Sequence, residues 1–312
     1  MVLNRKTGER LHRHFFNISE YLQPGDLLVV NRSRVIPARL PARKLPTGGK
    51  VELLLLDRLA PGQWKALVGG KGLLKGKKVE LENGLKAEIE EELEGAQRII
   101  RFEQPLGKDL EALGQVPLPP YIHQSLEDSE RYQTVYAEEP GSSAAPTAGL
   151  HFTPNLLTQL AQQGVEMLEL TLHIGLDTFA PVTESDPQEH IIHTEWCHLS
   201  PEAAQKINTA KKRGNRIVAV GTTSVRVLES AARAFKTKGT LTAFEGPTDL
   251  FILPGYEFQI VDAMITNFHL PRSTLLMLVS AFASQEKILE SYRHAIKQNY
   301  RFYSFGDAML IQ

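Results

Sequence analysis

Residues 221–224 place three hydroxyl side chains directly after a glycine (GTTS). Residues 216–220 (RIVAV) are typical of a buried strand and residues 225–235 of a helix, so the four residues are predicted to form the turn between them. Backbone N–H groups and the helix dipole would meet there, which predicts a pocket for a phosphate or carboxylate. Arg226 is spaced to close that pocket with a bidentate contact. Helix capping by the hydroxyls explains the same residues equally well.

A second group of reactive side chains lies in residues 190–198 (HIIHTEWCH). Imidazole, carboxylate and thiolate are zinc ligands, which makes a site built on His190, His193 and Glu195 the alternative interpretation. No HExxH motif or cysteine pair accompanies them, and Cys197 is the only cysteine of the chain. Acid/base or hydrogen-bonding roles are therefore the preferred prediction, with no metal.

Two further segments place a histidine beside a phenylalanine just before a predicted helix. They are residues 146–154 (PTAGLHFTP), with His151 and Phe152, and residues 267–274 (NFHLPRST), with Phe268 and His269. An aromatic ring beside a polar group suits a ligand that carries a ring or a cation. The alternative is that both phenylalanines are core residues.

The elements that must position these side chains indicate an α/β fold. Residues 27–31, 50–59 and 85–93 are predicted strands, although the last could equally form a short acidic helix. Thr153-Pro154 and Ser200-Pro201 are helix starts, and Gly164 and Gly214 follow the expected helix ends. We therefore predict a larger α/β domain, residues 1–40 and 105–312, with an inserted small β-barrel domain over residues 41–104.

Charge is distributed unevenly along the 312 residues, although the net charge is only -1. Residues 1–78 contain 16 Lys/Arg and 5 Asp/Glu, whereas residues 79–140 contain 5 and 15. A local site for a polyanion and a merely solvated basic face both explain the imbalance. The longest apolar run, residues 275–283, is too short to cross a bilayer, so we expect a cytosolic protein without a membrane partner.

Several longer phrases occur together and in a specific order. The phrases are NRSRVIPARL, PLPPYI, YQTVYA, AAPTAGLHF, LHIGLDTFAPV, HIIHTEW, AVGTTSVRVLES, ITNFHLPRSTLLMLVSAFA and YRFYSFGDAMLI. On these phrases the chain resembles the S-adenosylmethionine:tRNA ribosyltransferase-isomerase family of queuosine synthesis over nearly its whole length.

The resemblance implies an enzyme that moves the ribosyl part of S-adenosylmethionine onto 7-aminomethyl-7-deazaguanine at the wobble position of a tRNA. It implies isomerisation to epoxyqueuosine, release of adenine and methionine, and no required metal. Such a reaction needs a base for a C5′ proton, an acid for adenine, and negative charge beside an oxocarbenium-like centre. On the shared motifs the acid/base candidates are His151, His173 and His269, with Asp249 or Glu195 as the electrostatic partner.

The remaining expected contacts follow from the same resemblance. S-adenosylmethionine is expected to meet the anion pocket and several aromatic rings: Gly221, Thr222, Thr223, Ser224, Arg226, Phe152, Phe179, Trp196 and Phe268. An anticodon loop is single-stranded enough to present a base to a pocket, with Lys and Arg on its phosphates. The expected tRNA contacts are Arg34, Arg39, Arg43, Lys44, Lys75, Lys77 and Lys78.

Two departures from the family pattern bear on function. Relatives carry a further segment before the stretch that starts at Val2, so we expect that the start was assigned too late. Asp177 stands where relatives usually have glycine, and a side chain there would reshape a pocket. The alternatives are a zinc-dependent nucleoside hydrolase and a tRNA-binding module without activity. We expect a monomer.

Overall fold

The computed structural model describes residues 1–119, 121–122, 126, 128–175, 182–184, 186–190, 192, 194–234 and 240–312. The chain forms two compact units. One comprises Met1–Arg34, Leu126–Glu139 and Ala145–Gln312, and the other comprises Val35–Ser125 and Pro140–Ala144.

The strands are β1 Val2–Leu3, β2 Arg10–Leu11, β3 Leu27–Asn31, β4 Ser33–Val35, β5 Arg39–Lys44, β6 Lys50–Ala60, β7 Gln63–Gly69, β8 Lys78–Leu81, β9 Lys86–Glu92, β10 Gln97–Phe102, β11 Glu139–Ser142, β12 Glu166–Leu172, β13 Glu195–Leu199, β14 Ile217–Val220, β15 Phe244–Thr248, β16 Ala263–Asn267 and β17 Ala308–Ile311. The helices are α1 Gly107–Leu113, α2 Pro154–Gln162, α3 Pro201–Lys212, α4 Gly221–Ala234, α5 Thr274–Ala283 and α6 Gln285–Lys297. Short 3-10 turns include Phe15–Glu20 and Thr147–His151.

The larger unit is built on a nine-stranded mixed sheet in the order β15-β13-β12-β3-β14-β16-β17-β1-β2. Its four central strands, β12, β3, β14 and β16, are mutually parallel. Every residue of β3, β14 and β16 is buried, as expected for strands covered on both faces. Helix α2 packs Leu156 and Leu160 against Leu28 and Val220, and α4 contacts the same strands.

The predicted helix starts are confirmed. The Thr153 hydroxyl accepts from the N–H of Leu156 at 3.2 Å, and the Ser200 hydroxyl accepts from Ala203 at 3.1 Å. Each cap is followed by proline at the first helical position, where the missing N–H has no intrahelical partner.

The smaller unit contains a closed barrel in the order β10-β7-β6-β5-β8-β9. Val51, Leu53 and Leu55 alternate with more exposed residues along β6 and fill its interior together with Ile89 and Ile100. The α/β fold with a small β-barrel is thus confirmed, whereas the boundaries 41 and 104 stay a prediction.

The predicted strand at residues 85–93 is confirmed and the helical alternative is wrong: residues 86–92 form strand β9, because their alternating side chains pair with β8 and β10 and reach the barrel core. One local prediction is corrected. The GTTS residues are the first turn of α4 and not a turn before it, because the helix begins at Gly221, whose φ of +84° turns the chain from β14 into the helix.

None of the helices in the described part of the chain combines the length and hydrophobicity that crossing a bilayer requires.

Candidate active site

The sheet brings most of the predicted residues of the larger unit to one edge. The parallel strands β12, β3, β14 and β16 end there, and β13, antiparallel to β12, begins there. Ligands of open α/β sheets bind outside this carboxyl edge. The predicted residues located there are His173, Glu195, Gly221, Thr222, Thr223, Ser224, Asp249 and His269.

Asn267, which the sequence analysis missed, joins two of the predicted motifs. Its buried Oδ1 accepts from the Thr147 hydroxyl at 3.0 Å. Its Nδ2 donates to the Tyr303 carbonyl at 3.2 Å and lies 3.4 Å from His151 Nε2. An amide N–H facing Nε2 requires an acceptor, so the neutral His151 carries its proton on Nδ1. The signal was available, because Asn267 is the first residue of the NFHLPRST phrase.

His151 borders a cavity of about 720 Å³ within the larger unit. Its ring stacks on Phe15 with 4.8 Å between ring centroids. Burial lowers the pKa of His151, and the nearby Asp307 carboxylate opposes that shift. A neutral imidazole at the wall of a cavity can accept or relay a proton. Other lining residues include His12, His14, Tyr300 and Arg301.

His269 is held at both its backbone and its ring. Its backbone N–H donates to the Tyr292 hydroxyl at 2.8 Å, and its Nε2 lies 2.8 Å from the Thr266 hydroxyl. Burial lowers the pKa of His269 to about 4. The imidazole is therefore neutral at pH 7 and is available as a hydrogen-bonding group or a base.

His173 and Trp196 stack on neighbouring strands, with 5.4 Å between ring centroids. The backbone N–H of His173 donates to the Trp196 carbonyl at 3.0 Å. Within the described residues His173 Nδ1 is buried without a hydrogen-bond partner. Burial lowers the pKa of His173, and Glu139 opposes this shift. Trp196 is 40% exposed and has His198 on its other side, at 6.1 Å.

Arg226 does not close an anion pocket at the GTTS residues in this structure. Its buried guanidinium is paired with the carboxylate of Glu195 and also donates to the Leu250 carbonyl at 3.2 Å. Glu195 Oε1 accepts from the Gly175 N–H at 3.1 Å. Burial lowers the pKa of Arg226 to about 10, so it stays charged at pH 7. Asp249 has a side chain that is 75% exposed.

The first turn of α4 lies against the PTAGLHF motif. The Ser224 hydroxyl donates to the Val220 carbonyl at 2.8 Å. The Thr223 hydroxyl is buried and has no partner in the part of the chain that the structure describes. A side-chain carbon at Gly221 would lie 3.4 Å from that hydroxyl and 3.8 Å from Ala148. The two motifs therefore form one continuous surface.

The predicted ring contacts separate into three groups. Phe152 and Phe268 are buried: Phe152 packs on Phe15, and Phe268 packs on Tyr292 and Phe302. They contribute to the core instead of offering an open face. Trp196 is accessible, and Phe179, like Asp177, lies outside the described residues.

The predicted tRNA contacts differ in how far their charges are neutralised. Arg34 pairs with Glu130 in the larger unit. In the barrel unit Arg39 pairs with Glu52 at 3.0 Å and Lys78 with Glu88 at 3.5 Å, while Arg43 and Lys44 donate to backbone carbonyls. Lys75 and Lys77 are exposed, and their side chains form no ion pair with a described residue.

Two of the three candidate ligands of the alternative zinc site have other partners among the described residues. His190 Nδ1 contacts Glu184 at 2.9 Å, Glu195 is occupied by Arg226, and His193 lies outside the described residues. Burial raises the pKa of Cys197 to about 12, which keeps the thiol protonated. Among the described residues no three His, Cys, Asp or Glu side chains are grouped as metal ligands.

Comparison with known proteins agrees with the resemblance inferred from the motifs. A family model described as "Queuosine biosynthesis protein" matches residues 1–311. A relative from Symbiobacterium thermophilum, named S-adenosylmethionine:tRNA ribosyltransferase-isomerase, is 54% identical over 100% of this chain and 92% of its own length. A Moorella thermoacetica relative of the same name is 52% identical with the same coverage.

A solved structure also matches. The crystal structure of an S-adenosylmethionine tRNA ribosyltransferase from Thermotoga maritima is 41% identical, with a TM-score of 0.55 over 100% of this chain and 91% of that chain. Sequence motifs, fold and relatives thus agree, and the chain belongs to the queuosine biosynthesis protein family.

Proposed function

We propose that this chain transfers and isomerises the ribosyl moiety of S-adenosylmethionine onto 7-aminomethyl-7-deazaguanine in the anticodon loop of a tRNA. The products are epoxyqueuosine-tRNA, adenine and methionine. The observation that carries the proposal is that the family match spans the chain while residues of several family motifs in the larger unit lie at one edge of its sheet.

The three histidines supply proton transfer. His151, His173 and His269 are all shifted toward the neutral imidazole by burial, which suits a base for the C5′ proton. The same groups, once protonated by the substrate, can protonate departing adenine. His151 combines an accessible cavity with an oriented tautomer, so we assign it the first of these roles.

Negative charge near the ribosyl C1′ comes from Asp249. Its carboxylate is exposed, and its ion-pair partner Arg233 is also exposed and lies 4.0 Å away, whereas the Glu195 carboxylate is buried in its pair with Arg226. The Glu195–Arg226 pair therefore has a structural role, because it holds the start of β13 against α4. Thr223 and the first turn of α4 bind an anionic group of the substrate. The tRNA phosphates meet the lysines of the barrel unit, of which Lys75 and Lys77 have unpaired charges among the described residues.

The test incubates the 312-residue protein with S-adenosylmethionine and a tRNA that carries 7-aminomethyl-7-deazaguanine. Free adenine is quantified, and the mass of the modified nucleoside is measured by mass spectrometry. The proposal expects one adenine per modified base and the mass gain of the epoxycyclopentane. Binding of tRNA with neither product would instead support a tRNA-binding module without activity. Zinc-dependent hydrolysis of a nucleoside would support the alternative of a zinc-dependent nucleoside hydrolase.

A further inference from the structure

The loop formed by residues 70–77, between β7 and β8, presents an apolar side chain to solvent. Leu74 is 52% exposed, whereas the adjacent Leu73 is 3% exposed and belongs to the barrel core. A single exposed leucine is normal on a protein surface, so the conformation of the loop and its charges, and not exposure alone, indicate a contact.

This loop has a defined conformation. The N–H of Lys77 donates to the Leu74 carbonyl at 3.1 Å and closes a turn over residues 74–77. Gly76 is the third residue of that turn and has φ of +81°, the backbone conformation that glycine favours. A side-chain carbon at Gly76 would have no atom within 4 Å, so the turn is open to solvent.

The barrel anchors both sides of the turn. The N–H of Gly76 donates to the Ile89 carbonyl at 2.8 Å, and the N–H of Ile89 donates to the Lys77 carbonyl at 2.9 Å. Arg98 Nε donates to the Leu73 carbonyl at 3.1 Å. Leu74 is therefore held outward by a rigid support, which limits the entropy cost of a contact.

The charge around Leu74 selects the class of partner. Lys71, Lys75 and Lys77 are exposed, and in the described parts of the chain their ammonium groups have no carboxylate partner. The nearby Glu92 carboxylate accepts from the Lys75 backbone N–H at 3.3 Å and lies 3.8 Å from Arg98. Exposed lysines within three residues of an apolar side chain in one loop suit a ligand that combines phosphates with an unstacked base.

We propose that the 70–77 loop contacts the anticodon loop, with Leu74 packing against an unpaired base and Lys71, Lys75 and Lys77 holding the flanking phosphates. The proposal rests on the proposed function and adds to it a residue that favours the splayed form of the RNA. Chemistry on a base requires that base to leave its stack, and an apolar side chain that packs against an unpaired base favours the unstacked form of the RNA.

The experiment uses the full chain and an anticodon stem-loop with 2-aminopurine beside the target base, because 2-aminopurine fluorescence rises on unstacking. Leu74→Ala is expected to raise KM for tRNA about tenfold, as loss of part of a leucine contact does, and to reduce the fluorescence rise at saturation. KM for S-adenosylmethionine stays unchanged. Leu74→Met retains an apolar side chain and is expected to restore both readouts.

Leu59 provides the matched control. It is 49% exposed on β6 of the same unit, beside Asp57 and Arg58, and Leu59→Ala is expected to match the unsubstituted protein. Lys75→Gln with Lys77→Gln should weaken binding but leave the fluorescence rise at saturation intact.

Equal behaviour of Leu74→Ala and Leu59→Ala would overturn the inference while adenine release by the unsubstituted protein upholds the proposed function. Absence of tRNA binding by the unsubstituted protein would overturn both.

Discussion

At the scale of single residues, the site depends on histidines that burial keeps neutral and on the groups that orient them. Asn267 illustrates the second requirement. Its Oδ1 is taken by Thr147, which directs Nδ2 toward Tyr303 and His151. A positioning residue of this kind sets the tautomer of its partner through a hydrogen bond.

Asn267→Asp is expected to raise the pKa of His151, because a carboxylate beside Nε2 stabilises the imidazolium. The acid limb of the kcat/KM profile should move to higher pH, and kcat at pH 7 should fall about tenfold because less neutral base is present. The pH dependence of adenine release checks this. An unmoved acid limb would show that His151 is not the titrating base.

The lowered pKa of His269 leads to a separate prediction about the stability of the folded chain. Its folded-state pKa, about 4, lies below the unfolded value of 6.5. Between these values the unfolded chain binds more protons than the folded chain, so the free energy of unfolding rises with pH across that window. His269→Asn is expected to reduce this slope by up to one proton. Urea unfolding of both proteins at several pH values measures the slope. An unchanged slope in the variant would contradict a lowered pKa of His269 in the folded chain.

At the scale of elements, the ion pair between Glu195 and Arg226 joins the start of β13 to α4. Both side chains are buried, and Glu195 also receives the N–H of Gly175. Two charges are therefore removed from water at the edge where the candidate site lies, and each depends on the other for compensation.

Glu195→Leu is expected to lower the free energy of unfolding by about 3 to 5 kcal/mol, because it leaves the Arg226 charge buried and uncompensated. Glu195→Leu combined with Arg226→Met should recover most of that loss by removing both charges. Urea denaturation of the two variants measures the difference. Equal destabilisation by the single and double variants would show that the pair itself is not the source.

At the scale of the whole molecule, the residues proposed for the two substrates belong to different units. The histidines belong to the larger unit and the free lysines Lys75 and Lys77 to the barrel unit. Binding of a polyanion by such lysines releases counterions, so its affinity falls steeply with salt.

Replacing Lys75, Lys77 and Lys78 with glutamine is expected to weaken tRNA binding and reduce the slope of log K against log[salt] by up to about 2, at about 0.7 per lost single-strand phosphate contact. Lys78 should contribute least because Glu88 already pairs with it. Three exposed lysines of the larger unit, Lys206, Lys212 and Lys297, serve as the matched control. An unchanged slope would remove residues 75–78 from the interface.

The sequence by itself determined the family, the α/β class and the helix starts. Residues 27–30 and 217–220 are apolar throughout, and hydroxyl-proline pairs mark helix starts, so local patterns sufficed for these elements. It also indicated most of the residues at the sheet edge, because they occur in motifs directly beside predicted strands.

Only the tertiary structure decided which of these residues meet. Which side chains pair depends on strand order, and no local pattern predicts that β13 lies antiparallel beside β12. This arrangement brings Glu195 to Arg226, so the guanidinium pairs with a carboxylate of the protein and not with a bound anion. Burial likewise depends on neighbours distant in sequence, which placed Phe152 and Phe268 in the core and Leu74 at the surface. Non-local packing, and not the type of the side chain, decided which of these side chains are exposed and which are buried in the fold.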